Sequence, residues 1–242
     1  LGGKSANIIF ADANLEAACM GAVSGIFAAS GQTCIAGSRL LVERSVHDQV
    51  TARLTEVAGM ARMGDPTDPG TQVGPVTTQP QRKHILSMIE AGVGGGARCL
   101  LGGGVPSAPE LAEGWFVEPT IFAGVDNSMR IAREEVFGPV LSIIPFDSEQ
   151  QALAIANDSP YGLAAGLWTH DIARALRMSD RLAAGTVWVN TYRAVSFMAP
   201  FGGYKRSGIG RENGQEAIDA YLQTKTVWIE TEETTANPFI MR

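Results

Sequence analysis

The chain has 242 residues, enough to bury one large core or two small ones. Its composition is that of a soluble globular protein rich in glycine and alanine, and a net charge of −6 offers no case for nucleic-acid binding. No apolar run approaches the roughly 18–20 residues of a membrane span, so a membrane partner is not expected.

In chain order, residues 7–10 (NIIF) read as a buried strand. Asp12 or Asn14 is placed to cap the next helix, in which Leu15, Cys19, Ala22, Val23 and Ile26 fall on one face and which ends near Gly31. Cys34 follows in a loop, and residues 39–42 (RLLV) form the next strand. Ser45 with Asp48 resembles a capping box before a helix striped by Val46, Val50, Leu54 and Val57. Residues 64–77 are a loop. Thr78 and Pro80 open a helix that carries Ile85, Met88 and Ile89 and stops at Gly92. Strands are expected at 97–101, 140–145, 163–168 and 186–189, with extended segments across 115–122. Asp147 or Ser148 caps a helix running to about Asn157, and a further helix spans 171–182. A glycine-rich loop at 202–210, a helix at 211–222 and a strand at 226–229 complete the pattern. Strands alternating with helices predict an α/β fold of three layers, a mostly parallel sheet with helices on both faces. In such folds ligands gather beyond the carboxyl ends of strands.

Three cysteines, Cys19, Cys34 and Cys99, form no CxxC pair, and His47, His84 and His170 form no HxxxH, so no metal is expected. Free thiols suit a reducing compartment, which predicts a cytoplasmic protein. Cys19 falls on an apolar helix face and Cys99 inside a strand, as packing residues do. Cys34, in GQTCIAGSR, sits instead among small and polar neighbours that let a substrate approach, with backbone N–H groups nearby to stabilise a thiolate. In EEVFGP, Glu134 and Glu135 precede Phe137 and a Gly-Pro turn, and read either as a charged loop or as an acceptor for sugar hydroxyls beside an aromatic contact. Residues 190–214 mix Tyr192, Phe197 and Phe201 with Arg193, Lys205 and Arg206. Their GxG at Gly208–Gly210, before the expected helix, is only a fragment of a phosphate-binding fingerprint.

Taken together, LGGKSANIIFADANLEAA, GQTCIAGSR, GDPTDPGTQVGP, GWFVEPTIF, EEVFGPV, YGLAAGLWT, GTVWVN, PFGGYKRSGIGRENG and YLQTKTV resemble the catalytic half of an NAD(P)-dependent aldehyde dehydrogenase, in that family's order. The resemblance implies that Cys34 is the nucleophile of a thiohemiacetal and thioester mechanism that converts a small-molecule aldehyde to an acid. It implies that Glu135 holds the nicotinamide ribose of NAD or NADP and that Phe137 lies beside the nicotinamide. Glu212 resembles a buried glutamate near the water path, or else an acid at a helix N-terminus. Tyr192, Arg193, Val195 and Phe201 would line the substrate tunnel, with Arg193 meeting an acidic aldehyde or sitting at a solvated mouth.

The same resemblance implies a catalytic domain over 1–206 and a C-terminal segment over 207–242. Residues 226–229 (TVWI) match the family's terminal strand, which pairs across subunits of a dimer or tetramer; the plainer reading is an edge strand of the chain's own domain. The family's general-base glutamate precedes LGGK, and its cofactor-binding domain lies upstream. The chain by itself is therefore expected to show little NAD-linked turnover. Transfer of the acyl group to coenzyme A, or a non-catalytic interaction role, are the alternatives.

Overall fold

The computed structural model describes residues 1–231, 237 and 239. Its strands are β1 (Ala6–Ile9), β2 (Arg39–Glu43), β3 (Arg98–Leu101), β4 (Thr120–Ala123), β5 (Val140–Phe146), β6 (Tyr161–Gly162), β7 (Ala164–Trp168), β8 (Thr186–Val189) and β9 (Tyr204–Lys205). Seven of them make one sheet in the order β3-β4-β5-β2-β1-β7-β8, parallel throughout except for the β3–β4 pair. β6 and β9 form a separate antiparallel ribbon.

Helices α1 (Leu15–Phe27) and α2 (His47–Gly59) cover one face, packing Cys19, Ile26, Val50 and Leu54 onto Leu40, Val42, Leu141 and Ile143. The other face receives α3 (Gln79–Gly94), α4 (Arg130–Arg133), α5 (Glu149–Asn157) and α6 (Ile172–Arg181), whose Ile85, Met88, Ile131 and Met178 meet Ile8, Leu41, Ile144 and Leu167. The alternation of Leu40, Leu41 and Val42 between the two clusters is the two-residue period of a strand buried on both sides. This is the three-layer α/β architecture expected from the sequence.

Local capping follows the sequence at four helices. Asn14, Thr78, Ser148 and Asp171 each accept a hydrogen bond from a backbone N–H of the first turn that follows. Asp12 binds elsewhere, accepting from Thr169, His170, Asp171 and Arg174. Ser45 does not cap α2. A single 3₁₀ turn, Arg44–Val46, intervenes, and the Ser45 hydroxyl donates to Glu43 instead.

Two expected elements near the C-terminus are also corrected. Only α7 (Glu216–Asp219) is helical in the stretch expected as a helix over 211–222, and residues 226–229 form no strand. Val227, Trp228 and Ile229 are exposed, and a strand exists only when a neighbour completes its hydrogen bonds. The reading of 226–229 as an edge strand of the chain's own sheet therefore fails. Among the described residues no helix is long and apolar enough to cross a membrane, and no group of three or more His, Cys, Asp or Glu side chains could hold a metal ion.

One charged residue ties the layers together. Arg39, 1% exposed at the start of β2, donates to the carbonyls of Lys4, Ile155 and Ala156 and to Asn127 Oδ1 at 2.8–2.9 Å. Burial lowers its pKa to about 10.

Candidate functional site

Because β1, β2, β5 and β7 run parallel, the segments that precede them converge on one edge of the sheet. Cys34 lies there, before β2, together with residues 1–5, 134–139 and 161–163. The expectation that the site lies beyond the carboxyl ends of the strands is thus corrected for the cysteine: it lies at the amino ends. The segment after β8 reaches it from the carboxyl side, through Tyr192.

The cysteine loop has an unusual start. After α1 the backbone turns left-handed at Ala29 (φ 53°), Ser30 (φ 54°) and Gly31 (φ 70°). Two consecutive L-residues in that region are strained and persist only where surrounding contacts over-determine them. Ser30 Oγ donates to Gly74 O at 2.8 Å, and Gln32 Oε1 accepts from Thr77 N and Oγ1, both at 3.0 Å. A Cβ on Gly31 would lie 2.0 Å from Gly138 O, so only glycine lets this loop meet the one ahead of β5. Gly3 likewise runs against the Cys34 carbonyl, where a Cβ would sit 2.3 Å from the oxygen.

Cys34 is half-buried and packs against the cluster of Ile35, Leu163, Ala164 and Trp188, which Tyr192 and Phe201 also flank. Tyr192 donates to Ile35 O at 3.0 Å and stacks at a tilt on Trp188, centroids 4.8 Å apart. Its ring occupies a slot formed by Gly25, Gly37 and Gly166, where added Cβ atoms would approach to 3.0, 3.0 and 2.6 Å. Burial of the phenol pushes its pKa up. Burial also pushes the Cys19 thiol up to about 11 and raises that of Cys99.

Across the crevice, Glu135 Oε1 accepts from Gly3 N at 2.9 Å. Its loop is gripped from α3: His84 Nε2 lies 3.1 Å from Glu135 O, and Gln81 Nε2 donates to Val136 O and Phe137 O at 2.9 and 3.0 Å. Phe137 is held at φ 51° and left 37% exposed. Gly3, Gly31, Thr33, Ser38, Glu135 and Phe137 line a narrow crevice between the two loops.

The remaining expected site residues are less central. Arg193, at φ 66°, donates from Nη1 to Ser24 O at 3.0 Å. Val195 is 73% exposed. Glu212 is exposed, and its backbone pairs with Phe201 in a short antiparallel bridge. No helix begins at Glu212, so the helix N-terminal reading is corrected, and its carboxylate is not buried in this chain. Nor does a helix follow Gly208 and Gly210 directly, which removes the geometry a phosphate-binding GxG needs. Sequence reasoning missed Trp188, Gln81, His84 and the glycine slot; their roles arise from contacts between residues far apart in sequence. An accessible thiol with an aromatic wall on one side and a carboxylate and exposed ring on the other suits covalent chemistry at a carbonyl beside a second bound molecule.

Comparison with known proteins points the same way. Residues 1–227 match the model of the aldehyde dehydrogenase family. The chain is 48% identical over 230 residues to a betaine aldehyde dehydrogenase of Brucella anthropi, covering 95% of this chain and 47% of that protein. Its fold matches a crystal structure of a point mutant of Staphylococcus aureus betaine aldehyde dehydrogenase, in complex with NAD+ and with a BME-modified cysteine, at a TM-score of 0.97 and 41% identity, over 100% of this chain and 49% of that one. An NAD+ complex of a Bacillus cereus aldehyde dehydrogenase matches at 0.92 and 44% identity, over 96% and 46% of the two chains. The chain spans about half the length of the curated relatives it matches.

Proposed function

The chain belongs to the aldehyde dehydrogenase family, and from that premise we propose that it carries the catalytic cysteine of an enzyme oxidising an aldehyde to a carboxylic acid with NAD(P)+. The observation that carries this reading is the placement of Cys34: half-buried, on a loop locked by a left-handed turn, whose neighbours Gly31 and Thr33 share a crevice with Glu135 and Phe137.

The Cys34 thiolate adds to the aldehyde carbon, and the carbonyl electron pair moves to oxygen. The backbone N–H of Cys34 is the proposed donor to that oxyanion, a contribution of roughly 3 kcal/mol at sites of this kind. Loss of hydride from the same carbon leaves a thioester on Cys34. Water then adds, the carbon–sulfur bond breaks, the acid departs and the thiolate returns. Trp188, Tyr192 and Phe201 wall the aldehyde's path, with Arg193 and Val195 at its mouth. Glu212 is proposed to serve the water path.

When bound, NAD(P)+ supplies the hydride acceptor. Glu135 and Phe137 fit its nicotinamide end: a carboxylate can accept from ribose hydroxyls, and an exposed ring can lie beside the nicotinamide. The described residues offer no comparable cradle for the phosphates, so this chain by itself is expected to show little NAD-linked turnover. The full enzyme is proposed to be cytoplasmic and to self-associate, as a dimer or tetramer, through the exposed apolar segment at 226–229.

The test is NADH formation by the full-length gene product, first with betaine aldehyde, the substrate in the names of its relatives. Cys34→Ser should abolish turnover, and the product should be the free acid. Undiminished turnover by Cys34→Ser would overturn the reading, and an acyl-CoA product formed only with added coenzyme A would replace its hydrolytic step.

A further inference from the structure

The first turn of α3 and the residues just before it touch both walls of the crevice. On the cysteine side, Gln32 Oε1 accepts from Thr77 N and Thr77 Oγ1, both at 3.0 Å, and Ser30 Oγ donates to Gly74 O at 2.8 Å. On the other side, Gln81 Nε2 donates to Val136 O and Phe137 O at 2.9 and 3.0 Å. Thr78, between the two contacts, caps α3 by accepting from Gln81 N. One capped helical turn therefore joins Thr77 to Gln81. Gln32 also stands directly ahead of the turn that carries Cys34, in which Ala36 N donates to Thr33 O at 3.0 Å. The far end of that turn is fixed separately, by Tyr192 donating to Ile35 O and by Gly37 N donating to Gly25 O. At the near end, among the described residues, the side-chain hydrogen bonds of residues 31–34 are those of Gln32 alone.

We propose that Gln32 is a positioning residue for Cys34, clamping the nucleophile's loop through Thr77 to the same helical turn that holds the loop of Glu135 and Phe137. The inference rests on the reading of Cys34 as the nucleophile and adds to it the part that fixes where the sulfur stands. Carbonyl addition depends on that placement, because the sulfur must meet the carbon while the Cys34 N–H meets the oxygen. A shift of about 1 Å in such a geometry costs up to about a hundredfold in rate. Alkylation by a small reagent demands less, since it needs an accessible thiolate and no oxyanion donor. Removing the Gln32 clamp therefore slows acyl chemistry at Cys34 and spares its alkylation. General loosening would open the site and change both. Gln72, in the loop ahead of α3, supplies the comparison: its Oε1 accepts from Arg62 N at 2.9 Å, a bond of the same kind that does not touch the cysteine loop.

The experiment follows acylation of the full-length gene product by p-nitrophenyl acetate. The Cys34 thiolate attacks the ester carbonyl, p-nitrophenolate leaves, and the acetyl group stays on sulfur, where peptide mass spectrometry locates it. Wild type, Gln32→Met, Thr77→Val, Thr77→Ser, the Gln32→Met/Thr77→Val double variant, Gln72→Met and Cys34→Ser are compared. Iodoacetamide alkylation of Cys34 is measured in parallel, and folding of each is checked by its melting curve. Gln32→Met should be acylated roughly tenfold to a hundredfold more slowly and alkylated as wild type is. Thr77→Val should show a smaller fall, and Thr77→Ser should keep the wild-type rate. The double variant should be no slower than Gln32→Met, because both changes remove one shared contact. Gln72→Met should match wild type. A folded Gln32→Met acylated at the wild-type rate overturns the inference. So do equal falls in acylation and alkylation, additive losses in the double variant, or a fall in Gln72→Met as large as that in Gln32→Met. If Gln32→Met does not fold, the Thr77 pair decides: a wild-type rate in Thr77→Val overturns the inference, and a slower rate that Thr77→Ser does not share supports it. If wild type is not acylated at Cys34, or Cys34→Ser releases p-nitrophenolate as fast, the reading of Cys34 falls and the role of Gln32 with it. If Cys34→Ser is inert and Gln32→Met is unaffected, only the role of Gln32 falls.

Discussion

Replacing Gly31 by alanine tests the idea that the cysteine loop is held by its left-handed turn. Gly31 has φ 70°, and a Cβ there would stand 2.0 Å from Gly138 O and 2.7 Å from Pro139 N. Both obstacles are backbone atoms, so neither can rotate away. Placing an L-residue in the left-handed region costs about 1–2 kcal/mol. Forcing extra volume into a packed contact typically costs about 1–3 kcal/mol. Together the substitution should cost about 2–5 kcal/mol, a large share of the roughly 5–15 kcal/mol that stabilises a typical domain. At roughly 2–4 °C per kcal/mol for a chain of this size, the melting midpoint should fall by roughly 4–20 °C. Thermal and denaturant unfolding measure the loss, and iodoacetamide labelling of Cys34 at neutral pH reports the loop itself. An unfolding midpoint within about 2 °C of wild type, with unchanged labelling, would refute the argument that Gly31 is required where the two loops meet.

Iodoacetamide at neutral pH should label Cys34 well before Cys19 or Cys99, as followed by peptide mass spectrometry, because Cys19 is buried with its thiol pushed up to about 11 and burial raises Cys99 too. Arg39→Met should destabilise by more than about 3 kcal/mol in urea unfolding, since three carbonyls and the Asn127 amide oxygen lose a buried donor. Burial works against ionising Asp12, but the Thr169 hydroxyl, the Arg174 charge and the N–H groups of Asp171 and His170 together hold its pKa low. Its folded pKa lies below the unfolded one, so its contribution is present above the unfolded pKa of roughly 3.9 and is lost as pH falls through the folded value. Asp12→Asn should accordingly show a shallower loss of stability on acidification. For Lys4 the folded pKa of about 7 lies below the unfolded value, so the unfolded chain holds more protons between that point and the ordinary lysine value of 10.5. Wild-type stability should carry a rising contribution across that window that Lys4→Met lacks, as measured by urea midpoints at stepped pH.

What the sequence revealed was mainly local. Asn14, Thr78, Ser148 and Asp171 cap helices through bonds to residues two or three places along, so their roles lie within a few letters of text. The stripe of Val50 and Leu54 follows from period alone. Cys34 stood out because its neighbours are unsuited to a core. The capping box at Ser45 failed because Ser45 lies inside the 3₁₀ turn Arg44–Val46, so Val46 and not Ser45 stands at the start of α2. The strand at 226–229 and the longer helix at 211–222 failed because β-propensity and apolar spacing do not supply a docking partner. The grip of Gln81 and His84 on the Glu135 loop, and the glycine slot around Tyr192, are written in pairs of residues that only the folded chain brings together. The choice of sheet edge was missed for the same reason.

The surroundings of Cys34 have a kinetic corollary. Gly3, Leu163, Trp188 and Tyr192 arrive from both ends of the chain, and Gly31 meets Gly138 across a long stretch of sequence. Such non-local closures are slow to form. A peptide copied from residues 28–38 would carry the same cysteine and none of its setting. During refolding, the environment of this thiol should mature only when the long-range pairings are complete, later than the helices. Its labelling rate would then serve as a clock for the last stage of assembly.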